Sequence, residues 1–174
     1  MEPTSGAAAD GTHLTRLRDL TDFEVADGSP DVRGWAVRGL DGQPFGRVHE
    51  LIVDPQALKV RYLDVTLDRG LLPSGDERHV LIPIGAAALD DDDDNVFVPA
   101  LDRNSVLDYP PYRDIFISRA FEEAMLQALR LPVPTGGAAP FYAGTSYDED
   151  HFYHRRRPVD QASMRRLEGG PPLS

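Results

Sequence analysis

The chain contains no cysteine. Disulfides, thiolate metal sites and cysteine nucleophiles are therefore excluded. Lysine is almost missing too: of 18 basic residues only Lys59 is a lysine, and the rest are arginines. Codon bias produces such a skew, and arginine also suits protein–protein docking because its planar fork pairs bidentately with carboxylates. Positive charge as a whole is scarce. With 29 acids against 18 bases the net charge is −11, which repels nucleic-acid phosphates over most of the surface, so no nucleic-acid partner is expected. The longest nearly apolar run, LIPIGAAAL at 81–89, is about half the roughly 20 residues a membrane span needs. The N-terminal MEPTSGAAADGTHL has no basic start leading into an apolar block, so no signal peptide is expected. There is no G-x-S-x-G elbow, P-loop or G-x-G-x-x-G. The reading is a soluble non-enzyme with no catalytic residue, no metal ligand and no cofactor assigned.

What is present is enough for one well-cored domain with extensions, since the chain has 174 residues. Its 15 prolines and 15 glycines point to much loop or extended arm. Residues 1–30 read as a flexible N-terminal segment, in which Leu14, Leu17 and Leu20 recur every third residue and suit a short helical turn. Residues 31–108 read as an all-β domain. Two strand-like pieces flank LDGQPFG, where Asp41-Gly42 supplies a hairpin's positive backbone angle. In the second piece Val48, Leu51 and Val53 are apolar and Ile52 breaks the alternation. LKVRYLDVTLD alternates Val60, Tyr62, Val65 and Leu67 against Arg61, Asp64, Thr66 and Asp68, a strand with one wet face. With the short runs HVLIPIGAAAL and NVFVPAL, this spacing predicts a small β-barrel, because closure removes exposed edges.

Residues 109–131 form an amphipathic helix region. Ala120, Phe121, Ala124, Met125, Ala128 and Leu129 make one stripe; Ser118 is a candidate N-cap, Glu122 and Glu123 suit the first turns, and Pro132 stops the helix. Residues 132–174 form an extended arm, rich in proline and glycine but punctuated by Phe141, Tyr142, Tyr147, Phe152 and Tyr153. A solvated linker does not usually carry so many aromatics, so the arm is expected to lie along a surface, its own or a neighbour's. These five aromatics, with the basic cluster Arg155, Arg156 and Arg157, are the candidate partner-binding residues.

Three features with chemical potential are weaker. The run LDDDDDN at 89–95 lacks the spaced ligands, central glycine and closing glutamate of a calcium loop, and is read as a solvated hairpin tip. His151 and His154 would share a helical face with carboxylates nearby, but no H-E-x-x-H accompanies them. His49 and His79 stand alone in strand-like segments, and His49 and Glu50 point to opposite faces.

The stretch DVRGWAVRGLDGQPFGRVHELIVDPQALKVRYLDVTL, followed by VLIPI, resembles the PRC-barrel family. The matching pieces are Arg33-Gly34-Trp35, Asp41-Gly42 with Gly46 and Val48, Val53-Asp54, Arg61-Tyr62-Leu63 and Leu81-Ile82-Pro83. That family includes the cytoplasmic domain of the photosynthetic reaction-centre H subunit and the C-terminal domain of the ribosome-maturation factor RimM. The D-V-R-G-W opening, the later helix and the aromatic arm with FYAGTSY resemble the H type most. The resemblance implies a mainly β, PRC-type barrel with a C-terminal helix and an extended Pro/Gly/aromatic arm, acting as an assembly and docking module without catalytic residues. H subunits carry an N-terminal membrane helix and this sequence does not. It is therefore read as a cytoplasmic, peripheral relative held on the inner membrane by protein contacts. The implied partners are subunits of a membrane protein complex, reaction-centre core subunits among them. The alternative is a RimM-like ribosome-assembly factor or another adaptor, and behind these a metal-binding protein.

Overall fold

The computed structural model describes residues 14–20, 30–73, 76–90, 93–113 and 116–154. Its core is a seven-stranded sheet built from β1 (Thr15–Arg16), β2 (Ala36–Arg38), β3 (Pro44–Asp54), β4 (Lys59–Leu67), β5 (His79–Pro83), β6 (Ala88–Asp90) and β7 (Asn95–Phe97). Along the sheet the order is β5-β4-β3-β2-β7-β6, with β1 added beside β3. All ladders are antiparallel except β2–β7. β3 is long enough to carry two neighbours on one edge: β2 pairs along its start, and β1 pairs with Ile52 and Val53 near its end. Leu14 and Leu17 are buried in the core, so the leucine-spaced N-terminal residues belong to the fold from Leu14 onward.

The β2–β3 hairpin turns where the sequence indicates. Gly42 has φ +78°, and the Asp41 carboxylate accepts the backbone N–H of Gln43 at 3.0 Å. The acidic run is also a hairpin tip: Leu89 pairs with Val96 and Asp90 with Asn95, and Asp93 and Asp94 are exposed. Two readings need correction. The sheet does not close into a barrel, because among the described residues no ladder joins β5 to β6. β6 and β7 have only three residues each, so they offer few ladder hydrogen bonds for a further pairing, and residues 149–154 pack against β6 and the turn Ile84–Ala86. Nor does β4 keep a wet face. Tyr62, Leu63, Asp64 and Val65 are all buried, as is β3 at every position from Glu50 to Asp54. Alternation fails at Ile52 because both faces are covered there.

The covering elements are α1 (Arg119–Ala128), the short α2 (Ala138–Phe141) and α3 (Glu149–His154). Ser118 caps α1, its hydroxyl accepting the Phe121 N–H at 3.1 Å. The helix ends before Pro132 is reached: Arg130 adopts φ +61° and the Leu131 N–H returns to the Leu126 carbonyl at 2.9 Å, a Schellman-type closure. The buried stripe is Glu122, Met125, Leu126 and Leu129, while Ala120 and Ala128 are exposed. It is rotated from the predicted face because alanines have little to bury and a glutamate lies at its centre. Ser118→Ala is expected to lower stability by about 1 kcal/mol, read from the urea midpoint; an unchanged midpoint would show that the cap is dispensable.

Candidate functional site

Among the described residues a cleft of about 630 Å³ opens at the β3–β4–β5 end of the sheet. Four arginines line it, Arg16, Arg18, Arg78 and Arg113, together with His49 and His79. They arrive from separate parts of the chain. Arg16 and Arg18 come with β1 and the turn after it, and Arg78 precedes β5. Arg113 follows Tyr112, whose N–H bonds the His79 carbonyl at 2.8 Å. His49 is the extra residue of a bulge: Val48 faces Val65 and Glu50 faces Asp64, so one residue of β3 is left over. Bulges re-aim side chains, and this one places the His49 ring edge-on to His79, centroids 5.0 Å apart.

His79 is clamped. Its Nδ1 lies 2.7 Å from the buried Asp64 carboxylate and its Nε2 lies 2.8 Å from Glu77. When the ring is protonated both nitrogens donate to an anion. Partial burial works against the charged form, but the two carboxylates outweigh it and raise the His79 pKa. The ring is thus an internal counter-ion to the cleft's own acids. Glu50, 2 % exposed, anchors the N-terminal wall: it takes the Leu51 N–H at 2.9 Å and Arg33 at 3.3 Å, and lies 3.6 Å from Arg18.

On the covered side of the sheet, Glu122 has no exposed surface. One of its carboxylate oxygens accepts from Tyr62 at 2.9 Å and from Tyr142 at 2.5 Å. The Arg119 Nε lies 3.4 Å from the other. Tyr62 has one hydroxyl proton; with that committed to Glu122, Tyr147 donates to Tyr62 across 2.6 Å. Burial raises the Glu122 pKa to about 7, although the tyrosine hydrogen bonds and Arg119 pull it down. Burial likewise raises Tyr62, Tyr142 and Tyr147.

The predicted partner-binding aromatics fall here. Phe141, Tyr142, Tyr147, Phe152 and Tyr153 are all buried in the chain's own core, so they anchor the arm to its own fold. In its described part that arm is folded back. The Glu149 carboxylate accepts the Val60 N–H at 2.6 Å, and Arg61 reaches the Tyr147 carbonyl at 3.2 Å while lying over the Tyr142 ring. Arg119 sits over Phe141. Arg155, Arg156 and Arg157 lie outside the described residues. His151 is half-buried in α3. Among the described residues no group of three or more His, Asp or Glu side chains is placed to hold a metal ion, and no helix is long and apolar enough to cross a membrane.

Sequence reasoning takes His49 and His79 as isolated residues, and the structure brings them together. It misses the arginine cleft, since nothing in the spacing of positions 16, 18, 78 and 113 announces convergence. Residues 18–104, half of the chain, match the family model described as the PRC-barrel domain.

Proposed function

The chain belongs to the PRC-barrel family, and from that premise we propose that it is a non-catalytic docking subunit. In this reading it assembles on the cytoplasmic side of a membrane protein complex of the photosynthetic reaction-centre kind. The observation that carries the reading is the arginine-lined cleft on a chain of net charge −11. A concave, locally cationic face on an acidic body selects partners by charge and orients their approach. The reaction-centre type is supported by the D-V-R-G-W opening and by the helix and aromatic segment that follow the β domain. Those opening residues have structural work: Arg33 bridges Asp31 and Glu50, and Gly34 adopts φ +93°.

Density-gradient fractionation of gently lysed source cells tests the reading. The chain is expected to migrate with membranes that carry their proteins and to leave protein-free vesicles of the same lipids unbound. Migration as a free monomer, or with ribosomes as a RimM-like factor would, overturns it.

A further inference from the structure

We infer that the cleft between β3, β5 and the N-terminal segment is a binding site for a carboxylate-rich peptide segment of a protein partner. The inference deepens the docking reading and rests on it. Arg16, Arg18, Arg78 and Arg113 approach from three stretches of chain. Arg16 is held by Asp19 at 2.8 Å and Arg18 lies 3.6 Å from Glu50, so Arg78 and Arg113 are the forks that lead the contact with a partner. That layout suits several single carboxylates spaced along an acidic segment, each met by one fork.

The cleft's own acids argue against a compact polyanion. Asp64, Asp76 and Glu77 also line it, and a phosphate group held close to them is repelled. His79 partly cancels this, lying between Asp64 and Glu77, in a lining that holds four arginines against three acids. Pro111 and Tyr112 add an apolar strip on which the methylenes of glutamate side chains can lie. Recognition runs through side chains rather than strand addition, since the free edge of β5 is already used: Tyr112 bonds the His79 carbonyl and the Tyr109 hydroxyl bonds the Leu81 carbonyl at 2.6 Å. The volume of about 630 Å³ falls within the range of roughly 300–1,000 Å³ that holds ligands of a few side chains.

The test is fluorescence anisotropy of a labelled oligoglutamate peptide with the full chain, at low and at physiological salt. Saturable binding that weakens with salt is expected, and Arg78→Glu plus Arg113→Glu is expected to weaken it by about tenfold or more. Arg78→Glu and Arg113→Glu are each measured alone as well, and each is expected to weaken binding by about threefold or more. Arg130→Glu changes an exposed arginine outside the cleft lining, makes the same charge change as either single variant and is expected to leave affinity within about twofold. Matching unfolding curves for the variants show that folding is not the cause. No peptide binding, equal loss in the Arg130 variant, or tighter binding of inorganic pyrophosphate than of peptide each overturns the inference. Membrane co-migration that survives the cleft double variant leaves the docking reading standing and removes the cleft from it.

Discussion

Gly85→Ala is expected to destabilise the chain by about 3 kcal/mol or more and to release residues 138–154 from the sheet. Gly85 sits in the buried turn Ile84–Ala86 directly after β5. A Cβ built there collides with the backbone carbonyl oxygen of Thr145 and lies 2.7 Å from the carbonyl carbon of Ser146. Both obstacles are backbone, so no rotamer change relieves them. The turn Thr145–Tyr147 must move away from the sheet, yet Tyr147 is bonded to Tyr62 and Glu149 to Val60. Either the alanine is accommodated by strain or the segment detaches. Detachment re-exposes Phe141, Tyr147 and Phe152, each worth roughly 2 kcal/mol of burial. Urea unfolding gives the loss, and limited proteolysis gives its location, with new cleavage expected between residues 132 and 154. Gly144→Ala is the control: an added Cβ there meets nothing within 4 Å, so a change under about 0.5 kcal/mol is expected. If Gly85→Ala behaves like Gly144→Ala, the segment is not seated on this turn.

The contrast between those two glycines shows where sequence reading reaches its limit. Gly85 lies in a run read as strand-like and Gly144 in the extended arm, and nothing in either run announces that the two backbones meet. Local chemistry was legible: the Asp41-Gly42 hairpin, the tip at LDDDDDN and the Ser118 cap each depend on neighbours within a few residues. The aromatic segment was half legible. Five aromatics among prolines and glycines call for a surface to lie on, but nothing in their order says whether the surface is their own. It is the turn Ile84–Ala86, β6 and β4. The alternating pattern of β4 suggested a wet face because Asp64 and Arg61 count as polar, yet in the fold Asp64 holds His79 and Arg61 holds Tyr142 and Tyr147. The cleft was illegible for the complementary reason. Its arginines are separated by long stretches of chain, and only the β1–β3 ladder and the Tyr112–His79 bridge bring them together. Glu122 was misread for its position: a glutamate in the first turn of a helix suits the dipole, and that adequate local explanation hid its burial.

Glu122 also sets the clearest pH dependence. Its pKa rises from an ordinary 4.5 to about 7 because the carboxyl is buried, and the bonds from Tyr142 and Tyr62 offset only part of that. The folded chain therefore binds this proton more tightly than the unfolded chain. The stabilisation is complete below the unfolded value of 4.5 and is lost progressively as pH climbs to about 7. Over that window the loss amounts to about 3 kcal/mol. Glu122→Gln cannot titrate and keeps a carbonyl oxygen for the two tyrosines. Urea unfolding of both proteins at about pH 5 and about pH 8 isolates the effect, with the wild type expected to lose ground to Glu122→Gln by about 2.5 kcal/mol between them. His79 is raised as well and also loses stabilisation as pH rises, but it is present in both proteins and cancels in the difference. Asp31, Glu77 and Asp102 are lowered and act below this window. A difference between the two proteins that stays constant with pH would mean that Glu122 remains ionised in the fold. Because Glu122 ties α1 to β4 through Tyr62 and to the aromatic segment through Tyr142, the same titration is expected to loosen that segment first. Amide hydrogen exchange at residues 141–153 should then speed up between those two pH values by more than the intrinsic pH effect in the wild type, and not in Glu122→Gln.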